Sequence, residues 1–144
     1  MRTRLPIQSL AIAAIAMGLV ATLTAHHAVN AQFDVSKNVA AVGVLTKVEL
    51  INPHTYIHFD IKNAAGKMES WSFETGAPGA LKRAGIAVRD VLKSGQPYKI
   101  VYSPARKRGR NVGLLTSVTL SDGRFVAFGA TNNVEAAREL SKED

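Results

Sequence analysis

After residue 38 the apolar side chains of this chain recur at every second position in short runs, separated by Pro, Gly and Asn. That rhythm constrains the fold more than any other feature. A period of two puts one face of an extended strand in a core and the other in water, and a helix cannot use it. From Val39 to Ile51, Val42, Val44, Thr46, Val48 and Leu50 share one parity while Lys47 and Glu49 fall on the other, which predicts a strand with a single buried face. Asn52-Pro53 breaks the pattern, because proline cannot donate to a ladder and restricts the residue before it. From Tyr56 to Lys62 the alternation resumes, with Ile57, Phe59 and Ile61 facing a core and Tyr56, His58 and Asp60 facing away. Ala64-Ala65-Gly66-Lys67 suits a hairpin, after which Trp71 and Phe73 share a face opposite Ser70, Ser72 and Glu74.

The meander is followed by Gly76-Ala77-Pro78-Gly79 and a short helical segment, Ala80 to Ala84, which Gly85 ends as a C-terminal cap. Ile86 to Leu92 adds a further helical turn, and the run 93–97 makes a tight loop. Tyr98, Ile100 and Tyr102 alternate on a fourth strand; Leu114, Val118 and Leu120 share a parity on a fifth, Val112 to Leu120. Asp122-Gly123 is a strong hairpin signal joining it to Arg124–Phe128. Three strands, a short helix and then further strands is the order of an OB barrel. The expected fold is mostly β: a small five- to six-stranded antiparallel OB-like barrel with one short helix between strands three and four. A small β-sandwich or an open antiparallel sheet with one helix is the rival architecture.

The start of the chain obeys a different rule. Arg2 and Arg4 precede an uncharged run from Leu10 to Leu23, too short for the roughly 20 residues a spanning helix needs and followed by small residues. Residues 1–25 therefore read as a signal peptide, against the alternative of an uncleaved anchor, with cleavage after Ala25 or after Ala31. The expected division is an irregular segment over 26–38, an OB-like β domain over 39–130 and a polar tail over 131–144 with Val134, Ala137 and Leu140 at helical spacing. Phe33-Asp34 is the expected anchor of the irregular segment onto the domain. Cleavage after Ala25 removes Arg2 and Arg4 and lowers the net charge from +7 to +5, which permits loose attraction to anionic surfaces without specifying a partner. The expected location is periplasmic or secreted, with no stable membrane span after cleavage. There is no cysteine, so a domain outside the cytoplasm is held by its core alone.

Chemistry-bearing residues are few. His26, His27 and His54 are the candidate metal ligands and copper the candidate metal, since a free N-terminal amine beside imidazoles suits that ion. Geometry limits the idea: on a regular strand His54 and His58 lie roughly 13 Å apart and do not share a metal unless the Asn-Pro-His turn folds His54 back. The plain reading makes His54 a turn residue and His58 an exposed sheet residue. Tyr56, His58 and Asp60, with Ser72 and Glu74 across a hairpin, form a candidate polar groove; read as an acid and a base, Asp60 and Glu74 have a separation that nothing in their spacing fixes. The basic run Arg106-Lys107-Arg108-Gly109-Arg110 falls in the loop between strands four and five, which OB folds use for ligands, and also reads simply as a solvated cationic loop. The candidate ligand-binding residues are Tyr56, His58, Trp71, Arg106 and Arg108, with Trp71 equally readable as core beside Phe73. Aromatic residues make up 6% of the chain, too few exposed platforms for a typical single-strand binder, so nucleic acid is disfavoured. No GxSxG elbow, phosphate loop or His-Glu-x-x-His pair is present, which lowers the case for an enzyme of those classes.

His26-His27, Phe33-Asp34, Gly43, Val48-Glu49, Ile51-Asn52-Pro53-His54, Trp71-Ser72-Phe73-Glu74 and the run from Ser117 to Arg124 together resemble a family of small exported proteobacterial proteins catalogued only as a domain of unknown function. The resemblance spans nearly the whole chain after residue 25, and Ile-Asn-Pro-His with the downstream Trp is its most specific part. It implies export and a small β domain with no established activity. The family pattern begins His-His-Ser, and Ala28 here removes a hydroxyl from any site built at the N-terminus. The expected function is a non-enzymatic exported binding or interaction module for a small ligand or a protein. The alternatives are a copper-binding protein and a binder of anionic glycan or nucleic acid.

Overall fold

The computed structural model describes residues 29–128 and 134–142. The chain divides into residues 1–32 and a larger unit running from Phe33 to Asp144. The elements of the larger unit are β1 (Val39–Ile51), β2 (His54–Lys62), β3 (Met68–Thr75), α1 (Pro78–Arg83), α2 (Val88–Val91), β4 (Pro97–Pro104), β5 (Val112–Thr119), β6 (Phe125–Ala127) and α3 (Val134–Leu140). The strands are ordered β3-β2-β1-β4-β5-β6, and a short parallel pairing of β3 with β5 closes the first five into a barrel. This is the expected OB architecture with β6 as an extra strand. The rival sandwich and open sheet are excluded by that closure.

β1 is shared between the two halves of the barrel, pairing with β4 over Val39–Val44 and with β2 over Gly43–Ile51. The bend between them is a bulge. Leu45 opposes Phe59 and Lys47 opposes His58, so Thr46 is the extra residue, and its hydroxyl donates to the His58 carbonyl at 3.1 Å. The bulge overturns the single-parity reading of this strand. Before it Gly43 and Leu45 point inward and Val42 is 62% exposed; after it Val48 packs against the core and Lys47 and Glu49 point out. A second bulge does the same to β5. Val101 opposes Ser117 and Tyr102 opposes Leu115, so Thr116 is extra and Leu115, rather than Leu114, enters the core with Val118 and Leu120.

The core is what the alternation of β2, β3 and β4 predicts: Ile57, Phe59, Phe73 and Ile100 are fully buried, with Tyr98 and Tyr102 close behind. Phe73 packs against Tyr102 with ring centroids 4.8 Å apart and meets Phe59 edge-on at 5.9 Å. Closure depends on a glycine. Gly113 opposes Phe73 across the parallel pairing, and a Cβ there would lie 2.8 Å from Tyr102 and 3.0 Å from Phe73, so no other residue lets β5 approach β3 so closely.

Gly85, with φ +78°, ends the short helical stretch as anticipated, and Val88–Val91 supplies the further turn. Phe33 is buried and bridges Ala105, while the Asp34 amide donates to the Pro104 carbonyl, so this pair straps the start of the unit onto β4. At the other end α3 lies over β4 and β5, with Ala137 fully buried and the Arg138 guanidinium 4.5 Å from the Phe125 ring centroid. Among the described residues, no helix is long and apolar enough to cross a membrane.

Candidate functional site

β2 lies between β1 and β3, and its register decides what surrounds each outward side chain. Tyr56 opposes Glu49 on one side and Glu74 on the other; His58 opposes Lys47 and Ser72; Asp60 opposes Ser70 on β3. Cross-strand partners of this kind sit roughly 5 Å apart at Cβ, close enough to act together. The outer face of the meander therefore carries a row, Glu49–Tyr56–Glu74, with a histidine on either side of it along β2.

Both histidines are tied to the ends of that row. His58 Nε2 lies 2.7 Å from Glu49 Oε2, and His54 Nδ1 lies 2.9 Å from Glu74 Oε1. Through these contacts each imidazole is turned so that its other ring nitrogen, Nδ1 of His58 and Nε2 of His54, has no hydrogen-bond partner among the described residues. Lys47 closes on the other oxygen of Glu49 at 2.6 Å. The Lys47 ammonium and then the His58 ring hold the Glu49 carboxyl below its usual range, so the row keeps this negative charge into acid. Glu74 is less accessible, its side chain only 12% exposed, and Oε2 has no hydrogen-bond partner among the described residues. Lower on the face the Ser70 hydroxyl donates to Asp60 at 2.6 Å.

Of the residues singled out from sequence, Tyr56 and His58 lie together on this face, half-buried. Trp71 belongs to the other face of the same sheet: it opposes Phe59, stacks on Phe73 with centroids 5.8 Å apart and leans on Tyr102 at 5.5 Å. Arg106 and Arg108 are in the loop between β4 and β5. Arg106 approaches Asp34 at 3.8 Å and Arg108 is exposed. The end of that loop reaches the β3 edge level with His58, since the Ser72 amide, one pair across from His58, donates to the Asn111 carbonyl at 3.0 Å. His54 is the first residue of β2, paired with Ile51, so it is not folded back toward His58. His26, His27 and the expected cleavage site after Ala25 lie outside the described residues, while the alternative site after Ala31 falls within them, in the helical stretch 29–32. Among the described residues no group of three or more His, Cys, Asp or Glu is placed to hold a metal ion.

Sequence reasoning puts Glu49 on an outward parity without linking it to Tyr56 or His58. Register carries that link, and its signal in the sequence is indirect: Gly43 inside a strand, where a Cβ would come within 3.0 Å of Ile61 and Phe59, marks the close packing just ahead of the bulge.

The fold is a closed five-stranded OB-type barrel with one extra strand, and its first three strands carry a polar, histidine-bearing outer face. The chain belongs to a family of unknown function (DUF6152), whose model matches residues 13–115. No curated protein and no solved structure matches it.

Proposed function

We propose that this protein is an exported, non-enzymatic binding module that takes a small cationic or N–H-rich ligand on the outer face of β1, β2 and β3. The observation that carries the reading is the row Glu49–Tyr56–Glu74. A tyrosine ring flanked on both sides by carboxylates offers a π face to a cation and acceptors to its N–H groups. Each carboxylate is oriented by a histidine, so the acceptors are already in place before a ligand arrives. The fold supports the same surface by analogy, because OB barrels use the face of strands two and three and the adjoining loops. Export rests on the sequence pattern of Arg2, Arg4 and the run Leu10 to Leu23. Titration with benzamidine, a flat aromatic cation, against benzoate, its anionic counterpart, tests the site: saturable binding of the cation that Tyr56→Ala removes supports it, and equal binding of the two refutes it.

One observation favours copper as a second reading. The Nδ1 of His54 is occupied by Glu74, the arrangement in which a carboxylate orients an imidazole and leaves Nε2 for a metal. Mass spectrometry of the exported protein decides whether this can involve the N-terminus. A mature chain beginning at Gln32 removes His26 and His27 and ends the reading; one beginning at His26 should bind one tight equivalent of copper, weakened by His54→Ala.

A further inference from the structure

Where β1 leaves the barrel, Leu50 comes to the end of the core-facing parity without being covered: it is 40% exposed. Beside it the α1–α2 segment leaves an open cleft of about 380 Å³, whose apolar lining includes Leu50, Pro78, Ile86 and Val88. That volume is in the range of small-molecule sites. The cleft is separate from the Tyr56 row, which lies on the outer face of the sheet while Leu50 continues the inner one.

The rim is charged, and unequally. Lys82 on α1 and Arg89 on α2 both border the cleft, with Asp90 as the single acid. Neither cation forms an ion pair among the described residues, and Lys93 adds a third cation next to Arg89, donating to its carbonyl at 3.1 Å. An apolar trough ending in unpaired cations matches a molecule with an aliphatic tail and an anionic head: the tail takes Leu50 and Ile86 out of water, and the head is met by Lys82 and Arg89. A cationic amphiphile would meet the same walls with the wrong charge at the rim. The alkyl stems of Lys82 and Arg89 extend the apolar wall at no electrostatic cost.

From the walls and the rim together we infer that the cleft between the end of β1 and the α1–α2 segment is a binding site for an aliphatic monocarboxylate, such as a medium-chain fatty acid.

The test is titration of protein made from the full-length chain with decanoate and with decylammonium, which share a tail and differ in the sign of the head, followed by calorimetry and amide chemical shifts. Decanoate is expected to saturate, with shifts confined to residues 78–90 and to Leu50, and to bind about tenfold more tightly than decylammonium, the factor a net surface charge contact supplies. The double variant Lys82→Glu with Arg89→Glu should reverse that preference, and Ala87→Trp, which fills the cleft from an exposed position, should abolish both. Equal affinity for the two heads overturns the inference, as do decanoate shifts centred elsewhere or decanoate binding that survives Ala87→Trp. A dimer that Ala87→Trp dissociates would assign the cleft to a second copy and overturn it too. Tyr56→Ala is expected to leave decanoate binding unchanged, which keeps this site distinguishable from the outer-face reading.

Discussion

His58 reaches Glu49 at 2.7 Å because the extra residue at Thr46 turns β1 over between Leu45 and Lys47. Without the bulge the parity of Leu45 would continue, Val48 would face water and Glu49 would point into the core beside Ile57. One inserted residue thus keeps the core continuous and places a carboxylate on the outer face of the sheet.

Among the described residues three carboxylates are held below their usual range: Asp34 by the Ser36 hydroxyl and the Lys37 ammonium, Glu49 by Lys47 and His58, and Asp122 by the amide and guanidinium of Arg124. With the folded-state values lower than the unfolded ones, the unfolded chain takes up protons first as pH falls. The stability these groups contribute is therefore complete above the unfolded carboxylate value, about 4, and is lost as the pH drops through the depressed folded values. Melting temperature should fall below about pH 4, and less steeply in Glu49→Gln with Asp122→Asn. Equal slopes in the parent and the double variant would contradict this.

Gly113 is the closing point of the barrel. A Cβ there meets Tyr102 at 2.8 Å and Phe73 at 3.0 Å, both ring atoms locked in the core, so Gly113→Ala should cost about 1–3 kcal/mol in urea unfolding. Gly76→Ala, where the nearest atom is 3.5 Å away and belongs to a Leu81 methyl, should cost less. Reversal of that order would show that β5 can move away from β3 freely.

Core and face should separate cleanly under mutation. Phe59→Ala removes a fully buried ring from contact with Phe73 and Tyr98 and is expected to cost about 3–5 kcal/mol. Tyr56→Ala, on the same strand but facing out, should change unfolding by less than about 1 kcal/mol. A large loss for Tyr56→Ala would mean that the ring is structural.

Phe33 lies outside the strands yet is 1% exposed and bridges Ala105. Phe33→Ala should destabilise the protein by about 3–5 kcal/mol, as a core phenylalanine does, and hydrogen exchange should show the Asp34 amide released from the Pro104 carbonyl. An unchanged melting temperature would show that this segment is an ornament on the barrel.

The fold was legible wherever local chemistry determines it. The alternation of Ile57, Phe59, Trp71 and Phe73 marks β2 and β3, Gly85 stops the helix with a positive φ, and Asp122-Gly123 turns the last hairpin, the Asp122 carboxylate accepting from the Arg124 amide at 2.9 Å. Bulges were not legible, because Thr46 and Thr116 look like ordinary strand residues and only the register with β2 and β4 reveals that each is an extra residue. The same limit applies to the face. Outward parity identifies Tyr56 and His58, but their neighbours Glu49 and Glu74 follow from register, which turns and bulges set across the sheet. The cleft beside Leu50 depends on how far α1 and α2 stand from β1, a distance that no periodicity encodes.

Whether the Glu49–Tyr56–Glu74 row receives a cation is decided by following the Tyr56 ring and the His54 and His58 imidazole resonances while benzamidine, and separately benzoate, is added. Saturable shifts at all three side chains with benzamidine alone, lost in Glu49→Gln with Glu74→Gln, are expected. Benzoate producing the same shifts, or benzamidine leaving Tyr56 untouched, would show that this face is not a cation site.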